Sequence, residues 1–216
     1  MKKIGVMLSG CGVFDGAEIH ESTLTLLAID QQGAQAVCMA PDMSFDVIDH
    51  IKQQPSGEQR NVLTESARIA RGNIQNAKDV DTKDLDALIL PGGFGAAKNL
   101  SDFAMKGPDA SVHPEVQRIL NEMIASKKPI GAICIAPATV AKALAEHKVN
   151  VTIGNDQGTA QAIEKTGSTH SECSVDRICI DDTNNVISTP AYMLGPGIKD
   201  VAIGIEKLVI EVIKRA

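Results

Sequence analysis

Short apolar runs that alternate with amphipathic stretches organise the whole chain. The runs predict strands, and stretches with apolar residues three and four positions apart predict helices. The predicted strands span residues 3–8, 34–40, 86–90, 129–133 and 149–153. The predicted helices span residues 18–32, 61–71, 112–126, 134–145, 160–166 and 204–215. This alternation indicates a three-layer α/β sandwich, in which helices cover both faces of a mostly parallel sheet.

Two segments depart from the alternation. Residues 178–180 and 186–188 flank a polar turn and predict a β-hairpin. Residues 41–60 are polar and contain Pro55-Ser56-Gly57, so we expect a surface excursion there. No repeat, low-complexity segment or long linker divides the chain, which predicts a single domain over residues 1–216.

Composition narrows the class of protein. Aromatic residues make up only 2% of the 216 residues, so the core is aliphatic, as in a buried parallel sheet. The net charge of −6, without a basic cluster, argues against a nucleic-acid partner, because binding requires cations against the phosphates. No apolar stretch approaches the length of a membrane span. The five cysteines form no CxxC pair and no signal peptide is apparent, so we expect free thiols in a cytoplasmic protein.

Three loops follow the carboxyl ends of predicted strands, after Leu8, Leu90 and Ile133. Ligands of open α/β sheets bind beyond that edge. The first loop contains Cys11, and we expect the chemistry of the protein in these three loops.

Cys134 stands where a predicted strand meets a helix, in the segment Gly131-Ala132-Ile133-Cys134-Ile135-Ala136-Pro137. Such an elbow lifts the side chain above the sheet and places it at a helix N-terminus. There the helix dipole and the free N–H groups favour the reactive thiolate. A buried cysteine also often does nothing but pack. The small residues around Cys134 favour a nucleophile over this packing role.

A glycine-rich loop follows another predicted strand, in Leu90-Pro91-Gly92-Gly93-Phe94-Gly95. Glycines at such a place let backbone N–H groups converge on a ligand oxygen, as in an oxyanion hole. A plain tight turn would use the same residues, so the loop alone leaves both interpretations open. Its spacing does not fit a dinucleotide-binding loop.

Acidic residues gather at the start of the first predicted helix, at Asp15, Glu18 and Glu21. Carboxylates there commonly complement the helix dipole, whereas one that lies against a cysteine would act in proton transfer. His20 beside them lines either the site or the surface. No HExxH motif and no cluster of cysteine and histidine ligands is present, so we expect neither a metal nor a cofactor.

Four segments together resemble the ThiJ/PfpI superfamily. They are residues 2–21 (KKIGVMLSGCGVFDGAEIHE), 90–101 (LPGGFGAAKNLS), 134–138 (CIAPA) and 188–194 (STPAYML). The resemblance covers nearly the whole chain, and it is strongest to the isoprenoid-biosynthesis branch, whose members are also described as glyoxalases. It implies a flavodoxin-like, class I glutamine amidotransferase-like fold and a homodimer.

The resemblance also implies roles for individual residues. Cys134 matches the nucleophile of the superfamily, and Glu21 matches the glutamate that contacts its thiol. Gly93 and Ile135 match the positions whose backbone N–H groups form the oxyanion hole. The other residues expected to line the site are Gly92, Cys11 and His20.

Two departures from the superfamily pattern limit what the site does. The third catalytic partner, a histidine, would fall near Gly154, where this chain has none. The His-x-Glu pair of the amidotransferases is absent from the region of Thr189-Pro190-Ala191. Both departures argue against glutamine hydrolysis and against a protease, and they leave a pair of Cys134 and Glu21.

The reaction that the resemblance implies converts glyoxal or methylglyoxal to a 2-hydroxy acid without glutathione or metal. The thiolate of Cys134 attacks the aldehyde, Glu21 carries a proton between the two carbons, and water releases the acid. Without the histidine we expect slow turnover, and only the branch name connects the protein with isoprenoid biosynthesis. Two alternatives stay open: a redox sensor based on Cys134, and a regulatory protein that has lost efficient turnover.

Overall fold

A computed structural model describes residues 1–216 as strands, α-helices and short 3-10 helices. The strands are β1 (Lys3–Met7), β2 (Gln35–Ala40), β3 (Ser44–Asp49), β4 (Gln54–Asn61), β5 (Ile74–Asn76), β6 (Ala87–Leu90), β7 (Ile130–Ile133), β8 (Asn150–Val151), β9 (Thr169–His170), β10 (Cys179–Asp181) and β11 (Val186–Thr189). The α-helices are α1 (Ile19–Gln31), α2 (Val62–Ile69), α3 (Phe94–Lys98), α4 (Phe103–Lys106), α5 (Pro114–Ala125), α6 (Ala136–Ala143), α7 (Gln157–Glu164) and α8 (Ile198–Arg215). The 3-10 helices are Ala77–Asp79, Thr82–Asp84, Gly107–Asp109, Ala145–His147 and Ala191–Met193.

Seven strands form the central sheet in the order β10-β11-β7-β6-β1-β2-β5. Neighbouring strands are parallel throughout, except that β10 runs antiparallel to β11. From β1 the chain moves outward through β2 and β5, and it then returns to the other side of β1 with β6. The loops after β1, β6 and β7 therefore lie side by side at the carboxyl edge, next to the point where the strand order reverses.

Side chains of the sheet alternate between two apolar layers. In β6, Leu88 and Leu90 pack with residues of α5 and α6, whereas Ile89 packs with residues of α1 and α8. Because of the pleat of a strand, successive side chains point to opposite faces, so each short strand contributes side chains to both apolar layers. The predicted three-layer α/β sandwich is confirmed, and so is the predicted hairpin, as β10 and β11.

The surface excursion expected over residues 41–60 is a two-stranded antiparallel ribbon of β3 and β4. Nearly all of β4 is exposed, and it contains Pro55 and Gly57. Both residue types disfavour strands, so the sequence pattern gives no indication of this ribbon.

Helix α8 begins at Ile198, earlier than the start predicted at Gly204. A Cβ atom on residue 204 would lie 2.4 Å from the carbonyl oxygen of Val175 and 2.6 Å from Oγ1 of Thr189. Gly204 therefore marks a close approach between α8 and the end of β11 and does not mark a helix end.

Some features are absent from the structure. No helix combines the length and the apolar character that crossing a membrane requires. No group of three or more histidine, cysteine, aspartate and glutamate side chains is arranged to hold a metal ion. All five cysteines are free.

Candidate active site

Cys134 lies in the short elbow between β7 and α6, with a backbone φ of +62°. A non-glycine residue in this left-handed region costs about 1–3 kcal/mol and persists only where its surroundings hold it. Its backbone N–H donates a 2.9 Å hydrogen bond to the carbonyl oxygen of Thr189, at the end of β11. The elbow brings the side chain against the loop after β6, where Cys134 is only 7% exposed.

Glu21, in the first turn of α1, is fully buried against this thiol. Its Oε2 accepts a 3.0 Å hydrogen bond from the backbone N–H of Gly92, and its Oε1 accepts one of 3.2 Å from the backbone N–H of Tyr192. The thiol of Cys134 faces the same carboxylate, and each group shifts the pKa of the other. The loop after β6, the turn after β11 and the elbow thus all meet at one carboxylate.

Glu18 has a different position from Glu21, although the two are three residues apart. It caps α1, and its Oε2 accepts a 2.7 Å hydrogen bond from the backbone N–H of Glu21. The backbone N–H of Glu18 donates to the carbonyl oxygen of Gly92 at 3.0 Å. Glu18 therefore fixes the start of the helix and the adjacent glycine loop, while Glu21 faces the thiol.

The two glycines of the loop after β6 are required by close packing. A Cβ atom on Gly92 would lie 2.5 Å from Cβ of Cys134 and 2.6 Å from Oε2 of Glu21. Gly93 has a φ of +89°, and a Cβ atom there would lie 2.4 Å from the backbone nitrogen of Glu18. Only residues without side chains allow the loop, the elbow and α1 to meet at one point.

Two backbone N–H groups face the sulfur of Cys134. One belongs to Gly93 and the other to Ile135, which directly precedes α6. The structure thus brings together four predicted residues, namely Cys134, Glu21, Gly93 and Ile135, with Gly92 packed between them. Amides so placed are suited to an oxygen that gains negative charge on an atom bonded to the sulfur.

Burial dominates the proton affinities of the pair. It raises the pKa of Glu21 to about 7, and the negative charge of Glu18 adds to this effect. Burial, followed by the charge of Glu21, also raises the pKa of Cys134 well above its usual range, although the facing amides lower it. The thiolate expected from the helix N-terminus is therefore not the resting form. The site at neutral pH holds a thiol beside a carboxyl group near its midpoint.

Tyr192 is a site residue that sequence reasoning missed. It lies in the 3-10 helix Ala191–Met193, and besides its backbone bond to Glu21 its hydroxyl lies 2.7 Å from Nδ1 of His20. His20 itself is exposed at the start of α1. A contact made by a backbone N–H group leaves no residue-type signal, so only the placement of Tyr192 within the segment 188–194 could have indicated it.

Cys11 is not brought to the thiol of Cys134. It is partly buried near Glu65 and Arg68, and burial followed by the charge of Glu65 raises its pKa. The backbone N–H of neighbouring Gly10 donates a 2.9 Å hydrogen bond to Oγ of Ser66 in α2. The loop after β1 is therefore tied to α2 at this point.

An apolar side chain packs beside Gly154, near which the resemblance implies the missing histidine. Gly154 has a φ of +95°, and a Cβ atom there would lie 2.7 Å from Cγ of Leu194. A larger residue at 154 would require Leu194 to move. The departure from the superfamily pattern is thus built into the packing between this loop and the turn after β11.

A mostly parallel sheet with a cysteine elbow, a buried carboxylate and a glycine loop at its carboxyl edge defines the flavodoxin-like, class I glutamine amidotransferase-like class of proteins. Comparison with known proteins gives the family. The DJ-1/PfpI family matches residues 13–192, and the chain belongs to this family. The resemblance found in the sequence is confirmed.

Curated relatives align with nearly the whole chain. The human glutamine amidotransferase-like class 1 domain-containing protein 3, mitochondrial, is 45% identical over 98% of this chain and 82% of its own length. The rat ES1 protein homolog, mitochondrial, is 44% identical over 98% of this chain and 83% of its own length.

Solved structures share the fold. An isoprenoid biosynthesis protein with an amidotransferase-like domain from Ehrlichia chaffeensis is 37% identical, with a TM-score of 0.94 over 100% of this chain and 99% of that one. Glyoxalase III from Candida albicans has a TM-score of 0.62 over 97% of this chain and 96% of that one. Its identity is only 16%, so this likeness shows a common fold alone.

The location expected from the sequence is wrong. The human and rat relatives are both named mitochondrial proteins, which contradicts a cytoplasmic assignment. The expectation rests on unpaired cysteines and on the lack of an apparent signal peptide. Free thiols indicate a reducing compartment, but they do not distinguish one such compartment from another.

Proposed function

We propose that the protein is a cofactor-independent glyoxalase that converts glyoxal or methylglyoxal to the corresponding 2-hydroxy acid. The observation that carries the proposal is the buried pair of Cys134 and Glu21, whose thiol and carboxylate are in contact under two backbone N–H groups. The reaction needs a nucleophile, a proton carrier and an oxyanion site, and this arrangement supplies all three.

The first step is activation of the thiol by Glu21. Since the pKa of Glu21 is raised to about 7, a large fraction of the protein at neutral pH carries a carboxylate able to take the thiol proton. As the proton leaves, the sulfur of Cys134 bonds to the aldehyde carbon. The oxygen of that carbon becomes negative beside the N–H groups of Gly93 and Ile135 and then takes the proton from Glu21, which gives a hemithioacetal.

The second step moves a hydrogen between the two carbons. The carboxylate of Glu21 removes the proton from the carbon bonded to sulfur and returns it to the neighbouring carbon, while the hydroxyl proton on the first carbon passes to the oxygen of the second. The product is a thioester of Cys134. Water then attacks the thioester carbon, the thiol leaves with a proton, and the 2-hydroxy acid is released. One molecule of water is consumed, and no oxidant or reductant is required.

The test is product formation by the purified protein with no added glutathione or metal. We expect glycolate from glyoxal, none from Cys134→Ala, and an unchanged rate for Cys173→Ala, a control at a partly buried cysteine outside the site. Equal rates in the wild type and Cys134→Ala, or no glycolate from the wild type, would overturn the proposal.

We further propose that the protein acts as a homodimer, as the resemblance to the family implies. Helices α1 and α8 pack together and leave large apolar side chains exposed on both, namely Ile19, Leu27, Ile203 and Ile210. We propose that a second copy of the chain covers these side chains. Light scattering should give the mass of a dimer for the wild type and that of a monomer for Leu27→Glu combined with Ile203→Glu.

A further inference from the structure

A hydrogen-bonded pair of side chains lies next to the reactive pair and has no part in the mechanism so far. Oη of Tyr192 lies 2.7 Å from Nδ1 of His20, and the two ring centroids are 5.8 Å apart. Both residues are attached to Glu21. His20 precedes it in α1, and Tyr192 donates its backbone N–H to the carboxylate. The pair is therefore adjacent to the proton carrier of the site, along the helix on one side and through a hydrogen bond on the other.

The backbone around Tyr192 is held in an unusual conformation. Ala191, just before it, has a φ of +43°, which is rare for a residue with a side chain. Ala191 is the first residue of the 3-10 helix, and its carbonyl oxygen accepts a 2.8 Å hydrogen bond from the backbone N–H of Gly195. Burial, with the charges of Glu18 and Glu21, raises the pKa of the phenol. The phenol is therefore a neutral hydrogen-bond donor, and the charges of both carboxylates act on it.

The chemistry proposed above leaves one oxygen without a partner. A vicinal dicarbonyl has two oxygens, and the N–H groups of Gly93 and Ile135 serve only the one on the attacked carbon. The histidine that the resemblance implies near Gly154 is absent, and the side chain of Leu194 packs closely beside Gly154. Tyr192 is the single tyrosine of the chain, and its hydroxyl lies beside the imidazole of His20, between the turn after β11 and α1.

We propose that Tyr192, oriented by His20, binds and protonates the second oxygen of a vicinal dicarbonyl substrate. This inference rests on the proposed function. It makes Tyr192 a catalytic residue and His20 a positioning residue. It also limits the efficient substrates to aldehydes that carry a second oxygen on the adjacent carbon.

The step balances within the site. While Glu21 takes the proton from the carbon bonded to sulfur, the hydroxyl of Tyr192 gives its proton to the second oxygen, and an enediol forms. Glu21 then returns its proton to the second carbon. The hydroxyl proton on the first oxygen passes to the phenolate of Tyr192 as that carbon becomes the thioester carbonyl. Two protons change places, and no co-reactant is needed.

Tyr192→Phe tests the inference, because it removes only the hydroxyl and keeps the backbone N–H that binds Glu21. We expect kcat for glyoxal to fall by about 10²-fold, the contribution of one general acid. The rate of Cys134 alkylation by iodoacetamide should stay within about twofold of the wild type, since its activation does not use the phenol. Mass spectrometry should detect an accumulated adduct of glyoxal on Cys134, because the adduct forms but does not rearrange.

His20 has its own series of variants. His20→Ala should lower kcat by about tenfold or more through misplacement of the phenol, and His20→Asn should restore part of the loss because its amide can replace Nδ1. His147→Ala, at another exposed histidine, is the matched control and should behave as the wild type.

Three results would overturn the inference. Wild-type turnover in Tyr192→Phe would show that the hydroxyl has no role. Loss of turnover together with loss of alkylation and of the adduct would show a structural role only, as would equal losses in His20→Ala and His20→Asn. Absence of turnover in the wild type would instead remove the proposed function, and the role of the pair with it.

Discussion

Glu18 accepts a 2.7 Å hydrogen bond from the backbone N–H of Glu21, and at the same time its charge raises the pKa of the Glu21 carboxyl group. One residue thus holds the proton carrier in place and also adjusts its proton affinity. Both effects come from the position of Glu18 at the N-cap of α1, because an N-cap side chain lies close to the third residue of the helix, which here is Glu21.

Replacement of Glu18 by Gln should separate the two effects. The Gln side chain keeps an oxygen that can accept from the N–H of Glu21 but removes the negative charge. The pKa of Glu21 should then fall below about 7, and the rise of kcat/KM with pH should shift to lower pH. The measurement is a pH–rate profile for glyoxal with Glu206→Gln, an exposed residue of α8, as the control. An unshifted profile would show that the charge of Glu18 does not act on the catalytic carboxyl.

Replacement of Gly92 by Ala should damage both stability and turnover. The new Cβ would lie 2.5 Å from Cβ of Cys134 and 2.6 Å from Oε2 of Glu21, so the pair would have to separate. We expect a loss of about 1–3 kcal/mol in the free energy of unfolding and at least about 10²-fold in kcat/KM. Urea unfolding and glycolate assays measure the two effects.

Gly158→Ala is the control substitution at a glycine outside this loop, since its Cβ would meet nothing closer than 3.7 Å. It lies in α7, where Ala is more stable than Gly by about 0.5–1 kcal/mol. The account would be contradicted if Gly92→Ala and Gly158→Ala gave the same stability and rate.

Ionisation of the Glu21 carboxyl group should lower the free energy of unfolding as the pH rises. Its pKa in the folded protein is about 7 against 4.5 for the ordinary group, so the folded state binds more protons between these values. The wild type is therefore favoured at low pH and loses stability as the pH rises from about 4.5 to about 7. A shift of this size corresponds to on the order of 3 kcal/mol.

Glu21→Gln tests this effect, because Gln does not ionise. Its free energy of unfolding, relative to the wild type, should increase between pH 4.5 and pH 8 by up to the amount given above. Urea unfolding at several pH values provides the measurement. A difference between the two proteins that stays constant with pH would mean that the carboxyl is not held near neutrality.

The same substitution should make Cys134 more reactive while turnover is lost. Burial and the charge of Glu21 hold the pKa of the thiol well above its usual range, so alkylation of the wild type at pH 7 should be slow. Removal of the charge lowers that pKa and should speed alkylation.

Faster oxygen uptake from peroxide at Cys134 than at Cys173 in the wild type, without glyoxal turnover, would favour the redox sensor.

Local signals made most of the fold and part of the site predictable. The alternation of strands and helices follows from apolar spacing, and the elbow at Cys134 follows from a strand that runs into a helix. The glycines at 92 and 93 stand where close packing excludes any side chain. These features depend on residues near each other in the chain, which a sequence displays directly.

The site features that the sequence did not predict depend on contacts between residues distant in the chain. Tyr192 contacts Glu21 through a backbone N–H from a turn that is distant in the chain, so the residue type at position 192 does not indicate the contact. The proton state of Cys134 depends on the depth of burial, which outweighs the helix N-terminus that the local pattern emphasised. Cys11 is on a predicted ligand-binding loop but lies beside α2.

The most direct measurement of the central claim compares glycolate formation from glyoxal by the wild type, Glu21→Gln and Glu65→Gln. Glu65 is a control at another buried glutamate, which pairs with Arg68 at 2.9 Å. The account predicts a loss of at least about 10²-fold in kcat for Glu21→Gln and wild-type turnover for Glu65→Gln. Turnover of Glu21→Gln at the wild-type rate would contradict it, because no other group in contact with the thiol can carry the proton.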